Sequence, residues 1–302
     1  MRILMLFLDG IGLGEDDPNT NPFAIAQMPT LVALTNNHRW LKGIGKQRTQ
    51  RALFIPTDAR LGVEGRPQSG TGQAAILTGL NVPQMTGKHY GPKPDAQTRA
   101  ILNETNIFKQ VVESGKSAAL LEAYPPRWHT GVDSGKRLRA SFQQAPHAAG
   151  LPTFGIEEYR AGEALSGDWT GEGWRTHLGF DDVPVYTPYE AGLKLVELSR
   201  RYDFAFHSHW MTDLVGHRGP LEDAIKLLET FDQVMAGVLD AWDDSEGVII
   251  ITSDHGNMEA IGDRRHTLND VPTLIIGEQK DVFENMSDLT DIVPCMQQLL
   301  LP

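Results

Sequence analysis

A single cysteine, Cys295, in 302 residues excludes an intrachain disulfide framework and any metal site built on several thiolates. Long apolar runs are missing too. The hydrophobic opening from Arg2 to Leu8 is stopped at once by Asp9-Gly10, with no small-residue cleavage site behind it. Nothing approaches the roughly 20 apolar residues of a membrane helix, so a cytoplasmic location is the default expectation. Positive charge is in deficit: 27 Lys and Arg against 39 Asp and Glu give a formal net charge of −12. That balance argues against a protein that coats nucleic acid or anionic membrane, and on its face against an anionic substrate. Internal repeats and low-complexity tracts are also absent. What remains, with 40% hydrophobic and 22% charged residues, is the composition of a folded chain that buries a core without staples.

Residues 2–8 form a continuous apolar run, as expected of a strand buried on both faces. The pattern recurs at 204–206, 247–252 and 272–277, and more weakly at 117–121. Between these runs lie helical patterns. Ala224, Leu228, Phe231, Met235, Val238 and Trp242 recur at steps of three and four and mark one helix face. Pro220 suits its first turn, and Glu222 and Asp223 suit its positive end. Residues 189–201 and 289–300 read as two more helices. The alternation predicts an α/β fold with a mostly parallel central sheet flanked by helices. Residues 85–185 are rich in Gly, Pro, Trp and His and poor in periodicity. They read as a small cap or insertion on a metal-binding catalytic core made of 1–84 and 186–302. A purely structural excursion is the alternative.

Four segments place metal-capable side chains directly after predicted strands: Asp9-Gly10, Thr212 to His217, Ser253 to Gly256, and Arg265 to Thr267. In open α/β sheets, ligands bind at the carboxyl ends of the strands. Together the segments offer three Asp and three His, enough for two ions with open positions. Mixed imidazole and carboxylate donors suit zinc or manganese, whereas an all-oxygen set suggests magnesium or calcium. Taken singly, each has a structural reading: Asp-Gly is a common turn, and a lone His266 is an ordinary polar residue. A fifth segment, Gly65 to Leu80, sets Ser69 and Thr71 among glycines just before a helix-compatible stretch. A hydroxyl there lies near backbone N–H groups and becomes a nucleophile when a dication lowers its pKa. A helix N-cap on a glycine-rich turn is the alternative. Asp232 lies beside the apolar face of its helix. It either leans out to solvent or pairs with a ligand histidine or a backbone group.

The order Asp9, Ser69, Asp213-x-x-x-His217, Asp254-His255 and His266 resembles the alkaline phosphatase superfamily. The closest resemblance is to the metalloenzyme branch of cofactor-independent phosphoglycerate mutase and phosphopentomutase. Thr212 to Gly219 is similar to that branch's Asp-x-x-Gly-His stretch, and Thr252 to Glu259 to its signature. Arg265 to Pro272 is similar to its His-Thr-x-x-x-Val-Pro segment. The likeness covers 1–14, 57–80 and 203–277. It implies an alkaline-phosphatase-like core holding two divalent ions, zinc or manganese, with magnesium possible. Asp213, His217 and His266 would hold one ion; Asp9, Asp254 and His255 would hold the other, with Ser69 beside it. The nucleophile it implies is Ser69 ahead of Thr71, since related phosphodiesterases place theirs nine residues before a Thr-Gly pair, here Thr78-Gly79.

The chain departs from the branch at Gln73, where such mutases often carry His, and it lacks their large second domain. It also lacks the C/S-x-P-x-R setting of the sulfatases. The expectation that follows is a phosphomonoester hydrolase acting on a small phosphorylated substrate through a phosphoserine. A phosphomutase on a sugar phosphate or phosphoglycerate is the alternative, then a phosphodiesterase or nucleotide pyrophosphatase. A metal-binding protein without turnover is the alternative of a different class. Lys88, His89, Arg127 and His129 are candidate substrate contacts in the cap. Tyr124, Trp128, Trp169 and Trp174 are candidate stacking surfaces or core. No nucleic-acid or membrane partner is expected, and the oligomeric state is not legible. With three Asp as ligands, two dications would leave the site locally positive, and the acidic balance no longer speaks against a phosphate ester.

Overall fold

The computed structural model describes residues 1–301. Its strands are β1 (Arg2–Leu8), β2 (Gln47–Arg48), β3 (Ala52–Thr57), β4 (Ala118–Leu120), β5 (Phe204–His209), β6 (Gly247–Thr252) and β7 (Val271–Ile276). They form one seven-stranded sheet in the order β2-β3-β7-β6-β1-β5-β4. The continuous apolar runs became strands because helices cover both faces. Ile3, Met5 and Phe7 of β1 point into one core, with the helices Ser69–Thr78, Ile107–Glu113, Ser141–Ala148 and Ile292–Leu300. Leu4, Leu6 and Leu8 point into the other, with the helices Pro188–Ser199 and Leu221–Ala241. The helix predicted from Leu221 buries the predicted face, Ala224, Leu228, Phe231, Met235 and Val238. Pro188–Ser199 starts at Thr187, whose hydroxyl accepts the Glu190 N–H while the Glu190 carboxylate accepts the Thr187 N–H.

The sheet is mixed, with five strands in one direction and β7 and β2 reversed. β4, β5, β1 and β6 pair in parallel, but β7 runs antiparallel to both β6 and β3, and β2 antiparallel to β3. A reversed strand begins at the rim where the parallel strands end. The loop entering β7 therefore reaches the same edge as the loops leaving β1, β5 and β6.

Between 85 and 185 the chain does two things. The helices Ala96–Glu104, Ile107–Glu113 and Ser141–Ala148 pack Leu102, Phe108 and Phe142 onto the first core, and residues 118–120 enter the sheet as its edge strand. These helices are 7–9 residues long, too short for a clear period. Further along, Tyr159, Ala164, Trp174 and Val183 gather with Ala123 in a small cluster of their own. No helix among the described residues is long and apolar enough to cross a membrane.

Candidate metal centre

The rim of the sheet collects the donors. Asp9 follows β1, and Asp254 and His255 follow β6. Asp213 and His217 sit one turn apart on the helix Met211–Arg218, which leaves β5. Ser69 is the first residue of the helix Ser69–Thr78. His266 precedes its strand instead of following one and reaches the rim only because β7 is reversed.

Two groups form there. In one, His217 Nε2 lies 3.1 Å from His266 Nε2, and Asp213 Oδ1 lies 3.4 and 3.7 Å from these two atoms. In the other, His255 Nε2 lies 3.0 Å from Ser69 Oγ, 3.5 Å from Asp9 Oδ1 and 3.6 Å from Asp254 Oδ2. The groups are contiguous. The His255 and His266 rings stack at 3.6 Å, and donor atoms of Asp9, Asp213 and His255 lie within 4.8 Å of one another.

The chemistry of these donors fits two divalent cations. His217 Nδ1 and His266 Nδ1 each lie 2.7 Å from a backbone carbonyl, of Arg264 and Pro67. A carbonyl only accepts, so both Nδ1 atoms carry the proton, and both Nε2 atoms present lone pairs to each other and to Asp213. Lone pairs facing at that distance repel unless a cation sits among them. In the other group, Asp9 Oδ1 and both carboxylate oxygens of Asp254 are buried without a hydrogen-bond partner. Burial, then the charges of Asp254 and Asp213, push the Asp9 pKa well above the usual carboxylate range. Burial, then Asp213, does the same to Asp254, and burial with His266 nearby holds His255 well below the usual imidazole value. Carboxylates kept this dry and this close are costly alone and are stabilised by bound cations.

Neighbouring groups hold the donors in place. Asn257 Nδ2 donates to the carbonyl and the carboxylate of Asp213 at 3.1 and 2.8 Å. Gly216 permits this approach, since a Cβ there would stand 2.7 Å from the Asn257 amide carbon. Gln73 Nε2 donates to Asp9 at 3.3 Å. Glu259, itself buried, accepts the N–H groups of Gly12 and Asn257, the Thr267 hydroxyl and the Asn269 amide. It thereby ties together the loops that leave β1 and β6 and the one that enters β7. Asn257 and Glu259 lie inside the signature segment, but sequence reasoning gave them no role.

The remaining candidates divide. Ser69 faces the donors, whereas the Thr71 hydroxyl is turned to the neighbouring loop, accepting the Tyr90 N–H at 3.1 Å. Asp232 is buried and accepts the N–H groups of Thr30 and Leu31 at 3.1 and 2.8 Å, so its partner is a helix start and not a ligand histidine. Arg127 lines the cavity above the donors. Lys88 and His89 do not; they line a separate depression of about 430 Å³, where His89 Nε2 bonds the Arg60 carbonyl. His129 sits edge-on against Trp128 at 5.1 Å. Tyr124, Trp128, Trp169 and Trp174 are all buried, Tyr124 packed on Trp128 at 4.5 Å and Trp174 on Tyr159 at 5.1 Å. All four pack into apolar clusters, and Tyr124, Trp128 and Trp174 also line the cavity above the donors.

The cavity measures about 1090 Å³ and opens over Asp9, Ser69, Asp213, His217 and His266. Its walls carry Arg66, Lys93, Arg127, Arg137, Arg218 and Arg265. Lys93 lies close enough to feel Asp9, although burial and Arg137 hold its pKa below the ordinary value. Two histidines of β5 clasp the insertion over this space. His207 Nε2 and His209 Nδ1 bond the carbonyls of Ser166 and Gly167 at 3.1 and 2.8 Å, and the Trp169 ring stacks on both. Burial lowers their pKa values to about 3 and about 4, so both stay neutral. His207, His209, Lys93 and Arg137 lie outside the motifs, and the sequence carried no signal for them.

Comparison with known proteins finds relatives in sequence and in fold. Residues 187–301 match the model of the metalloenzyme superfamily. A 2,3-bisphosphoglycerate-independent phosphoglycerate mutase of Ruegeria sp. is 33% identical over 241 residues, which is 74% of this chain and 46% of that protein. The chain spans between a quarter and a half of the length of the curated relatives it matches. Among solved structures, the PH0037 protein of Pyrococcus horikoshii has a TM-score of 0.58 at 18% identity, covering 99% of this chain and 96% of its own. The alkaline phosphatase of the Antarctic bacterium TAB5 has a TM-score of 0.55 at 12% identity, covering 99% and 97%.

Proposed function

Because the chain is an alkaline-phosphatase-like metalloenzyme, we propose that it transfers a phosphoryl group of a small phosphate ester through Ser69. We further propose that it returns that group to a second hydroxyl held in the cavity. The observation that carries the reading is the meeting of Ser69 Oγ with the dry carboxylate and imidazole donors under a walled, cation-lined cavity. This mutase reading is preferred to simple hydrolysis for two reasons. The curated relative named above is a mutase, and cationic walls retain an anionic molecule after its phosphate has left.

Asp213, His217 and His266 would hold one cation, and Asp9, Asp254 and His255 the other. Two divalent ions bound there supply Lewis acidity, easing deprotonation of a hydroxyl and neutralising phosphate oxygens. Ser69 Oγ loses its proton and attacks phosphorus in line; the new bond is Oγ–P, and the bond that breaks is the one to the ester oxygen, which leaves as a hydroxyl. Lys93 and Arg66, which line the same cavity as Ser69, would offer positive charge to the non-transferred oxygens. Attack by a second hydroxyl of the bound molecule then frees Ser69. Attack by water in its place releases inorganic phosphate.

A panel of phosphomonoesters, assayed with manganese, zinc and magnesium in turn, tests the proposal. Isomerised ester is the expected product, and Ser69→Ala is expected to lower turnover by roughly a thousandfold or more with metal content retained. Inorganic phosphate released as fast as ester is consumed would return the chain to the hydrolase reading. Unchanged turnover in Ser69→Ala would remove the serine from the chemistry.

A further inference from the structure

Most tryptophans named above have their faces covered. Trp128 packs on Tyr124, Trp169 on His207, and Trp174 on Tyr159 and Phe180. Trp210 differs. Trp128 and Trp174 also line the cavity but are 3% and 4% exposed, whereas Trp210 is 51% exposed there and has no aromatic neighbour among the described residues. The edge of its indole lies against the insertion: a Cβ at Gly167 would stand 3.3 Å from Nε1 and 3.9 Å from Cδ1. One edge of the indole thus abuts Gly167, and about half of the side chain remains exposed.

Its position matters as much as its exposure. Trp210 is the residue before the helix Met211–Arg218, one turn ahead of Asp213. The two backbone positions are therefore only about 4.5 Å apart along the helix axis, and both side chains line the same cavity. Leu214, 42% exposed, and Met211 extend the same apolar wall of the cavity. The room is ample as well. About 1090 Å³ reaches the upper end of ordinary ligand pockets, far more than a three-carbon phosphate fills. An exposed aromatic ring beside a phosphate-binding centre is an arrangement that stacks planar ligands.

Resting on the phosphoryl-transfer reading, we propose that the substrate carries a planar ring, aryl or nucleobase, beyond its phosphate, and that this ring stacks on Trp210. The phosphate then faces Ser69 while the ring occupies the Trp210–Leu214 wall. This names Trp210 as a specificity residue for the part of the substrate that does not react.

Phenylphosphonate and propylphosphonate, which share a headgroup and cannot be hydrolysed, serve as probes. Calorimetric titration of the metal-loaded protein is expected to show phenylphosphonate binding about tenfold tighter. Trp210→Ala should erase that preference and leave propylphosphonate unaffected, while Trp210→Phe should keep most of it. Equal affinities in the wild type, binding of neither probe, or a preference that survives Trp210→Ala would each overturn the ring site. Turnover of phosphate esters is scored separately. Turnover without a ring preference removes the ring site and keeps the reaction; a ring preference without turnover does the reverse.

Discussion

The two walls of the cavity are built by different physics. On the sheet rim, Asp9, Asp254, His255 and His266 are buried, leave or enter a strand, and are locked by neighbours such as Gln73, Asn257 and Glu259. On the insertion side, Arg127 and Arg137 are exposed side chains on short segments. Dry charges must converge within a few ångströms or they destabilise the fold, so the rim admits few residue types. A wall that only shapes and charges a cavity admits many. Substitutions should therefore hurt in proportion to how dry their site is.

The largest effect belongs to the rim. Asp254→Asn removes a charge from the driest donor, 0% exposed, and is expected to cost roughly a thousandfold or more in turnover. Metal content by mass spectrometry should fall from two ions toward one. Full turnover with two ions retained would mean that the buried carboxylates do not hold metal. The next effect acts through a positioning residue. Asn257→Ala frees Asp213 and is expected to weaken binding at the Asp213–His217–His266 group by about 10- to 100-fold. Titration against a chelator buffer measures this, and an unchanged affinity would assign Asn257 to loop structure alone.

The same contrast explains what the sequence disclosed. Strands β1, β5 and β6 were legible because strands buried on both faces leave continuous apolar runs. β3 was not, because Pro56 argues against a strand. In the fold Pro56 stands opposite Pro272, where β2 reaches only Phe54 and β6 only Leu274, so neither proline owes a ladder N–H. The seven donor residues could be named because they lie in motifs. The direction of β7 could not, since an apolar pattern has no polarity, and His266 was placed on the wrong side of its strand. Ser69 and Thr71 share one glycine-rich turn; the spacing to Thr78-Gly79 favours Ser69, and the fold turns the Thr71 hydroxyl to the neighbouring loop. The insertion was least legible: its helices are short, and the histidines that clasp it look like any strand residues.

Glu122 tests the comparison from the other side, as a buried carboxylate on the insertion wall with no metal donor in contact. Its carboxylate accepts the Ser208 N–H at 2.9 Å and the Tyr124 hydroxyl at 3.2 Å, and the Ser208 hydroxyl also bonds it. Burial nonetheless raises its pKa from 4.5 to about 7. The folded state thus holds a proton that the unfolded chain releases above 4.5. Its contribution is full below that pH and is lost as pH rises to about 7, by roughly 3 kcal/mol. Urea unfolding at pH 5 and pH 8 should show this loss in the wild type and less of it in Glu122→Gln. An equal loss in both would place the pH dependence elsewhere.

The smallest effect is expected at Arg127. Its guanidinium is exposed, so its pull on an anion is screened by salt. Arg127→Ala should raise KM roughly threefold at low ionic strength, leave kcat unchanged, and become indistinguishable from the wild type at high salt. Steady-state kinetics at two salt concentrations decide it. A loss in kcat that persists at high salt would mean that Arg127 reaches the reacting phosphate as the rim residues do. The two walls would then share the chemistry, and the division between a dry reacting rim and a wet shaping wall would fail at the point where it has least support from sequence motifs.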